Sequence, residues 1–494
     1  MPVRSVYLRG PLLSLFLILS GCTTLYAPSN TAIDAIDNSH GYRGMERPGS
    51  LGDVALVVSF SGGGTRAAAL SYGVMQELRD TWLHTNGRET RLLDEVDHIS
   101  SVSGGSFTAA YYGLFGYELF DRYEEDFLRQ SVQGKLIQRV INPINWFNSA
   151  FSGMDRTEMA IDYYDKQIFR GKTFADMRPY PFIEINATDL SQGNRFAFTQ
   201  LYFDLICSDL DSVKVASAVT ASSAVPVLFP SVVLKNHAGH CDPSAGLLWP
   251  KLQQAEFPSV RERLLVSSLK SYQNAQSRPY IHLIDGGISD NLGLRATIDR
   301  LALFDFDPRR RERPLPRHVV VLEVNAQVQP ERPIDASAKK PSVAVTVDAV
   351  SSAQIDRYTA ETEALMESVL EQVQQQAEEG QLDMQFHLVK VNFQAVAQDQ
   401  FRRFFNNLPT SLELTNDEIT RLIWIGRYLL RESPEFRAFL ASPDMGGVAA
   451  RKVLHKKSRC QGKTRLQCLF QETGAVDSSE QPVLDQPALE QQPA

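Results

Sequence analysis

Ser103 stands in the stretch Val96-Asp97-His98-Ile99-Ser100-Ser101-Val102-Ser103-Gly104-Gly105-Ser106, followed by the apolar Phe107 to Leu114. The pattern predicts a short strand that turns sharply at Ser103 and runs straight into a helix. Gly104 and Gly105 remove the β-carbons that would crowd such a turn. A serine placed there is lifted off the sheet edge, with helix N–H groups aimed at it. That suits attack on a carbonyl and stabilisation of the oxyanion that follows. Ser101 stands where a G-x-S-x-G elbow has its first glycine, and a Ser/Gly-rich loop capping a helix is the plainer alternative.

Two further stretches carry matching chemistry. Asp53-Val54-Ala55-Leu56-Val57-Val58-Ser59-Phe60 is a continuous apolar run, as in a strand buried on both faces, and it empties into Ser61-Gly62-Gly63-Gly64-Thr65-Arg66. A helix is expected over Ala67 to Arg79. The loop lacks the G-x-x-x-x-G-K-[ST] of a phosphate loop. Gly62, Gly64 and Ala67 fit a degenerate dinucleotide fingerprint, but the next strand ends at Ser101-Val102-Ser103 with no acidic residue to grip a ribose. The remaining role is an oxyanion hole formed by the amides of Gly63 and Gly64, unobstructed by side chains. The third stretch is Tyr280-Ile281-His282-Leu283-Ile284 leading to Asp285-Gly286-Gly287. A carboxylate at a strand's C-terminal edge sits on the rim where open α/β sheets bind ligands. The alternative for Asp285 is an ordinary turn residue.

The elements that must position these groups alternate between strand and helix. Strands are expected at Pro181 to Thr188, with a hairpin partner at Arg195 to Thr199, and at Arg317 to Val324 and Gln385 to Asn392. Helices are expected at Val213 to Ser222, Val343 to Ala377, Thr415 to Leu430 and Ser433 to Leu440, with Thr415 and Glu418 as a capping box. Lys235 to Arg278 reads as loop. Tyr111 to Phe151 is rich in aromatics, including Trp146 and Phe147, and fits either a lid or acyl groove or plain packing of helices on the sheet.

The chain has 494 residues, 43% hydrophobic and 22% charged, enough for a full core. A formal net charge of -8 argues against nucleic-acid binding. At the N-terminus, Arg4 and Arg9 precede an apolar run, Leu12 to Leu19, too short to span a bilayer. It ends in Leu19-Ser20-Gly21-Cys22, which resembles the lipobox of bacterial lipoproteins, where the cysteine is lipidated and becomes the first mature residue. Thr23, rather than aspartate, then favours the outer membrane. A plain secretory signal is the alternative. Export would leave Cys207, Cys241, Cys460 and Cys468 in an oxidising compartment, and the expected pairs are Cys207–Cys241 and Cys460–Cys468. A zinc site from His237, His240 and Cys241 with Asp242 or Cys207 is the weaker alternative.

Together, Gly62-Gly63-Gly64-Thr65-Arg66, the elbow of Ser101, Ser103, Gly104 and Gly105, the Ala221-Ser222-Ser223-Ala224-x-Pro226 block and Asp285-Gly286-Gly287 resemble the patatin-like phospholipase family. The resemblance spans roughly residues 53 to 330, with the four blocks in the family's order. Ser101 and Ala67 depart from it, each standing where the family often has glycine. It implies a three-layer α/β/α fold with a mainly parallel sheet, a Ser103–Asp285 dyad without histidine, and an oxyanion hole at Gly62 to Gly64. Arg66 would support the loop or meet a phosphate; a surface salt bridge is the plain alternative. No cofactor or metal is implied, and membrane lipid is expected as both substrate and anchor.

The expected layout is a signal peptide at 1–21, a tether at 22–52 and a catalytic domain at 53–330. A helical C-terminal extension at 331–455 and a largely disordered tail at 456–494 follow. A Ser–Asp–His triad would need His318, which lies at the wrong end of its strand, or His282, which precedes the motif it would serve. A non-catalytic envelope lipoprotein that binds or scaffolds lipid is the alternative from another class.

Overall fold

The computed structural model describes residues 30–44, 52–85, 88–135, 156–226, 229–303, 315–329, 333–442 and 445. The chain divides into units of residues 1–449 and 450–494, and the second lies outside the described residues. So do Cys22, Cys460, Cys468, the signal-peptide and tail assignments, and Trp146, Phe147 and Phe151.

Among the described residues eight strands form the central sheet: β1 (Val54–Phe60), β2 (Val96–Val102), β3 (Phe182–Asp189), β4 (Arg195–Ala197), β5 (Val232–Lys235), β6 (Tyr280–Ile284), β7 (His318–Asn325) and β8 (Gln385–Asn392). Their order is β8-β7-β1-β2-β3-β6-β5, with β4 paired to β3. The five strands from β8 to β3 run parallel, and β4, β5 and β6 make antiparallel pairs. The valine-rich runs explain this centre, because parallel strands are covered on both faces and lack a polar side.

Among the helices are α1 (Gly64–Asp80), α2 (Gly104–Phe115), α3 (Val215–Ser222), α4 (Val260–Ser271), α5 (Val343–Glu379), α6 (Asn416–Glu432) and α7 (Pro434–Leu440). Side chains alternate faces along a strand, so His318 and Val321 of β7 point opposite ways. Val321 packs with Met366 of α5. The His318 ring meets Phe439 of α7. Helices therefore cover both faces, giving the expected three layers. The α4 helix, capped by the Ser259 hydroxyl, falls inside the stretch expected to be loop.

Two expectations about boundaries change. Residues 30–44 are packed onto the body, although the whole of 22–52 was expected to be tether. Thr31–Ala32 pairs with Ser208–Asp209, the Tyr42 ring stacks on Phe182, and buried Arg43 grips Asp204 at 2.7 and 3.0 Å. The C-terminal extension is mainly helical, as expected, but it also supplies β8, which pairs with β7 along its full length. It is part of the sheet.

The extension also clasps α1. A Cβ at Gly73 would lie 2.1 Å from the Ile423 carbonyl oxygen of α6, and one at Gly426 would lie 2.5 Å from the Leu70 oxygen. Only paired glycines let these two helices approach so closely. At the far end of α1, Glu77 pairs with Arg427 and Arg431. Gly73→Ala is expected to wedge the helices apart and cost about 1–3 kcal/mol of stability, an overpacking penalty measurable by denaturant unfolding.

Candidate active site

β2 gives way to α2 at Ser103, whose backbone lies at φ 49° and ψ -120°. Non-glycine residues seldom adopt positive φ, and such strain is held only where the surroundings fix it. The neighbours provide that fixing. A Cβ at Gly104 would sit 2.0 Å from the Gly64 carbonyl oxygen, and one at Gly105 would sit 2.7 Å from the Phe60 Cβ. The start of α2 is thus pressed against the end of β1 and the glycine loop. Ser101, one residue inside the strand end, pairs with Ile185 and donates its hydroxyl to the Glu184 carbonyl. An extended strand position accepts a side chain, so the elbow forms without its first glycine.

Asp285 arrives from β6, which runs antiparallel to β3 rather than parallel as the rim argument assumed. The two strands overlap only at Leu283–Asp189 and Ile284–Thr188. This short overlap at the C-terminal end of β3 still delivers Asp285 to the rim beside Ser103. The Ser103 hydroxyl donates to Asp285 Oδ2 at 2.9 Å, and the Gly287 N–H donates to Oδ1 at 2.8 Å. Thr188 fixes the main chain by donating to the Asp285 carbonyl at 2.8 Å. Ser103 is 7% exposed and Asp285 8%. Burial pushes the Asp285 carboxyl up to about 6, against the opposing pull of the Gly287 and Ser103 hydrogen bonds.

The glycine loop is narrower as a donor set than the Gly62 to Gly64 span that the resemblance implies. The Gly62 N–H donates to the Asn291 carbonyl at 2.9 Å, so it is spent on holding the loop. Among the described residues the Gly63 and Gly64 N–H groups have no acceptor. Positive φ at both, 138° and 60°, turns the loop in a way that side chains disfavour. The oxyanion assignment therefore contracts to Gly63 and Gly64. Nothing in the local pattern around Asn291 announces its part in this.

Arg66 is buried. Its guanidinium donates to the Ala326 and Leu408 carbonyls at 2.9 and 2.6 Å and to the Thr410 hydroxyl at 3.0 Å. It supports the loop; the phosphate and surface-salt-bridge alternatives do not describe these contacts. The Thr65 N–H donates to the Ser411 carbonyl beside it. The C-terminal extension thus forms one wall of the glycine loop.

Residues 58–298 match the family model described as patatin-like phospholipase. The chain carries a patatin-like phospholipase domain. No curated protein sequence matches the chain. Among solved structures, it is similar to human GIVD cytosolic phospholipase A2 at 13% identity and a TM-score of 0.30. That match covers 57% of this chain and 46% of the other. It is also similar to VipD from Legionella pneumophila at 13% identity and a TM-score of 0.28, over 85% of this chain and 72% of that one.

The remaining candidates divide around this patatin-like domain. Cys207 and Cys241 form a disulfide, which withdraws both sulfurs from the zinc alternative. His318 is buried at the start of β7, in register with Val54, whereas Phe60 at the other end of β1 is in register with Ser101. It lies at the opposite end of the sheet from Ser103. Of the described aromatics in the stretch from Tyr111, four are core: Tyr111, Tyr112, Tyr123 and Phe127 are buried, with Phe127 stacked on Phe107 of α2 at 4.4 Å, whereas Phe115 and Phe120 are half-buried and Tyr117 is exposed.

The raised Asp285 carboxyl has a stability consequence. In the unfolded chain it titrates near 3.8 and in the folded chain near 6, so folding favours its protonated form. The penalty grows as pH rises from 3.8 to 6 and is complete above that window. Asp285→Asn is expected to be more stable than wild type at pH 7 to 8, by up to about 3 kcal/mol. Denaturant unfolding at a series of pH values should show the advantage shrinking as pH falls from 6 towards 4.

Proposed function

We propose that this protein is a membrane-anchored serine acyl hydrolase that cleaves lipid esters, of the phospholipase A type. The observation that carries the reading is the 2.9 Å hydrogen bond from Ser103 to a buried carboxylate raised to about 6. In this mechanism Ser103 attacks the ester carbonyl while Asp285 takes the hydroxyl proton. The Gly63 and Gly64 N–H groups hold the tetrahedral oxyanion. Asp285 then returns the proton to the departing alcohol, and the cycle repeats with water to release the acid. An aspartate at its ordinary value would be a poor base near neutrality; burial corrects this.

Anchoring is supported by the lipobox-like Leu19-Ser20-Gly21-Cys22, and export by the Cys207–Cys241 disulfide, which suits an oxidising compartment. No helix among the described residues is long and apolar enough to cross a membrane. A lipid on Cys22 would hold the enzyme at its substrate, with the outer membrane the favoured location.

Ser103→Ala is expected to abolish both fluorophosphonate labelling and release of fatty acid from mixed envelope lipids, read by mass spectrometry. Unchanged turnover in that variant would overturn the reading. For wild type, kcat/KM on a soluble ester should fall as pH drops through about 6, where Asp285 takes up its proton. A profile flat from pH 5 to 8 would point to another base.

A further inference from the structure

We propose that Ser222 is a positioning residue that sets Ser103 against Asp285, a role that rests on the hydrolase reading above. Ser222 ends α3 and is fully buried. Its hydroxyl oxygen accepts the Ser103 N–H at 2.8 Å. Its proton goes to the Asn186 carbonyl at 2.6 Å. A hydroxyl has a single proton, so in the 3.0 Å contact between Ser222 and Ser106 the Ser106 hydroxyl is the donor. The Ser222 oxygen thus accepts twice and donates once, and its hydrogen-bonding capacity is used up.

The main chain of the same stretch holds the other partner. The Ser222 carbonyl accepts the Gly286 N–H at 3.0 Å, and the Ala224 carbonyl accepts the Asp285 N–H at 3.0 Å. Ser222 and Ala224 therefore grip both corners of the site, the serine corner by the Ser222 side chain and the aspartate corner by their two carbonyls. Ser103 is held at three points: its N–H on Ser222, its hydroxyl on Asp285, and its carbonyl, which accepts the Ser106 N–H within the first turn of α2. At φ 49° it lies in a region a non-glycine residue leaves when released, and Ser222 is the group that holds its amide. Loss of this hold would let the hydroxyl drift from its acceptor. Small misplacements of a reacting group weigh heavily on rate.

Ser222→Ala removes the side-chain grip and leaves both carbonyls in place. In the full-length protein, kcat on a soluble short-chain ester is expected to fall roughly 10- to 100-fold with KM within about twofold. The acid limb of the pH profile should stay at about 6 or move upward, never downward, because the burial of Asp285 is untouched while the opposing Ser103 hydrogen bond is weakened. Hydrogen exchange of the segment 100–106, followed by mass spectrometry, should speed up, and should do so equally in a Ser103→Ala background that has no turnover. Ser223→Ala is the control: its hydroxyl bonds back to Val219 and Thr220 at the same helix end, and this variant should keep wild-type kcat. A Ser222→Ala enzyme with kcat within twofold of wild type would overturn the proposal. So would equal losses in the two variants, or unchanged exchange at 100–106. A wild-type protein that neither turns over the ester nor takes up fluorophosphonate would instead strike the hydrolase reading, while the exchange data would still report on Ser222.

Discussion

The site depends on two backbones meeting where side chains are missing. The Gly64 carbonyl lies where a Cβ of Gly104 would be, so the glycine loop and the start of α2 are in direct contact. That contact fixes the distance between the amides of the loop and the hydroxyl at the elbow. It also explains why glycines stand at 62–64 and 104–105 while β1 and β2 themselves contain none. A side chain at either position would have to displace main chain, and main chain at the end of a parallel sheet is held by its ladder on both sides.

From this contact the other supports follow outward. Asn291 takes the Gly62 amide, Arg66 ties the loop to Ala326 and Leu408, and Ser411 takes the Thr65 amide. Beneath the elbow, Asn186 reaches Ser100 and the Ser101 carbonyl, and is itself held by Arg195, whose charge is met by Glu184 and Asp299. A buried ion network of this kind adds little net stability but specifies one arrangement of its members. The C-terminal extension belongs to the same scheme, since α6 and the residues at 408–411 close on α1 and the glycine loop, and β8 flanks β7, the neighbour of β1.

Much of this was legible in the sequence because strand ends advertise themselves. Apolar runs that stop at glycines placed Ser103, Gly62–Gly64 and Asp285 on one rim, and the strand and helix boundaries of β2, β6 and β8 match their patterns closely. What was not legible is pairing at a distance. The Gly62 amide looked available because its acceptor, the Asn291 carbonyl, lies far away in the chain and carries no motif. The direction of β6 was hidden because a five-residue apolar strand reads the same either way. Arg66 could equally have been a ligand or a strut until the carbonyls around it were in view. Residues 30–44 looked like tether because polar, glycine-containing chain can dock through single anchors such as Tyr42 and Arg43 without any periodic pattern.

That docked N-terminal segment shortens the leash. Cys22 precedes Asn30 by eight positions, and Asn30 is fastened to Lys235 by a pair of hydrogen bonds. Fully extended, eight residues span at most about 28 Å. An acyl group on Cys22 would therefore confine the enzyme to a shallow layer above one leaflet, where substrate is met by lateral diffusion in two dimensions and product leaves into the same sheet.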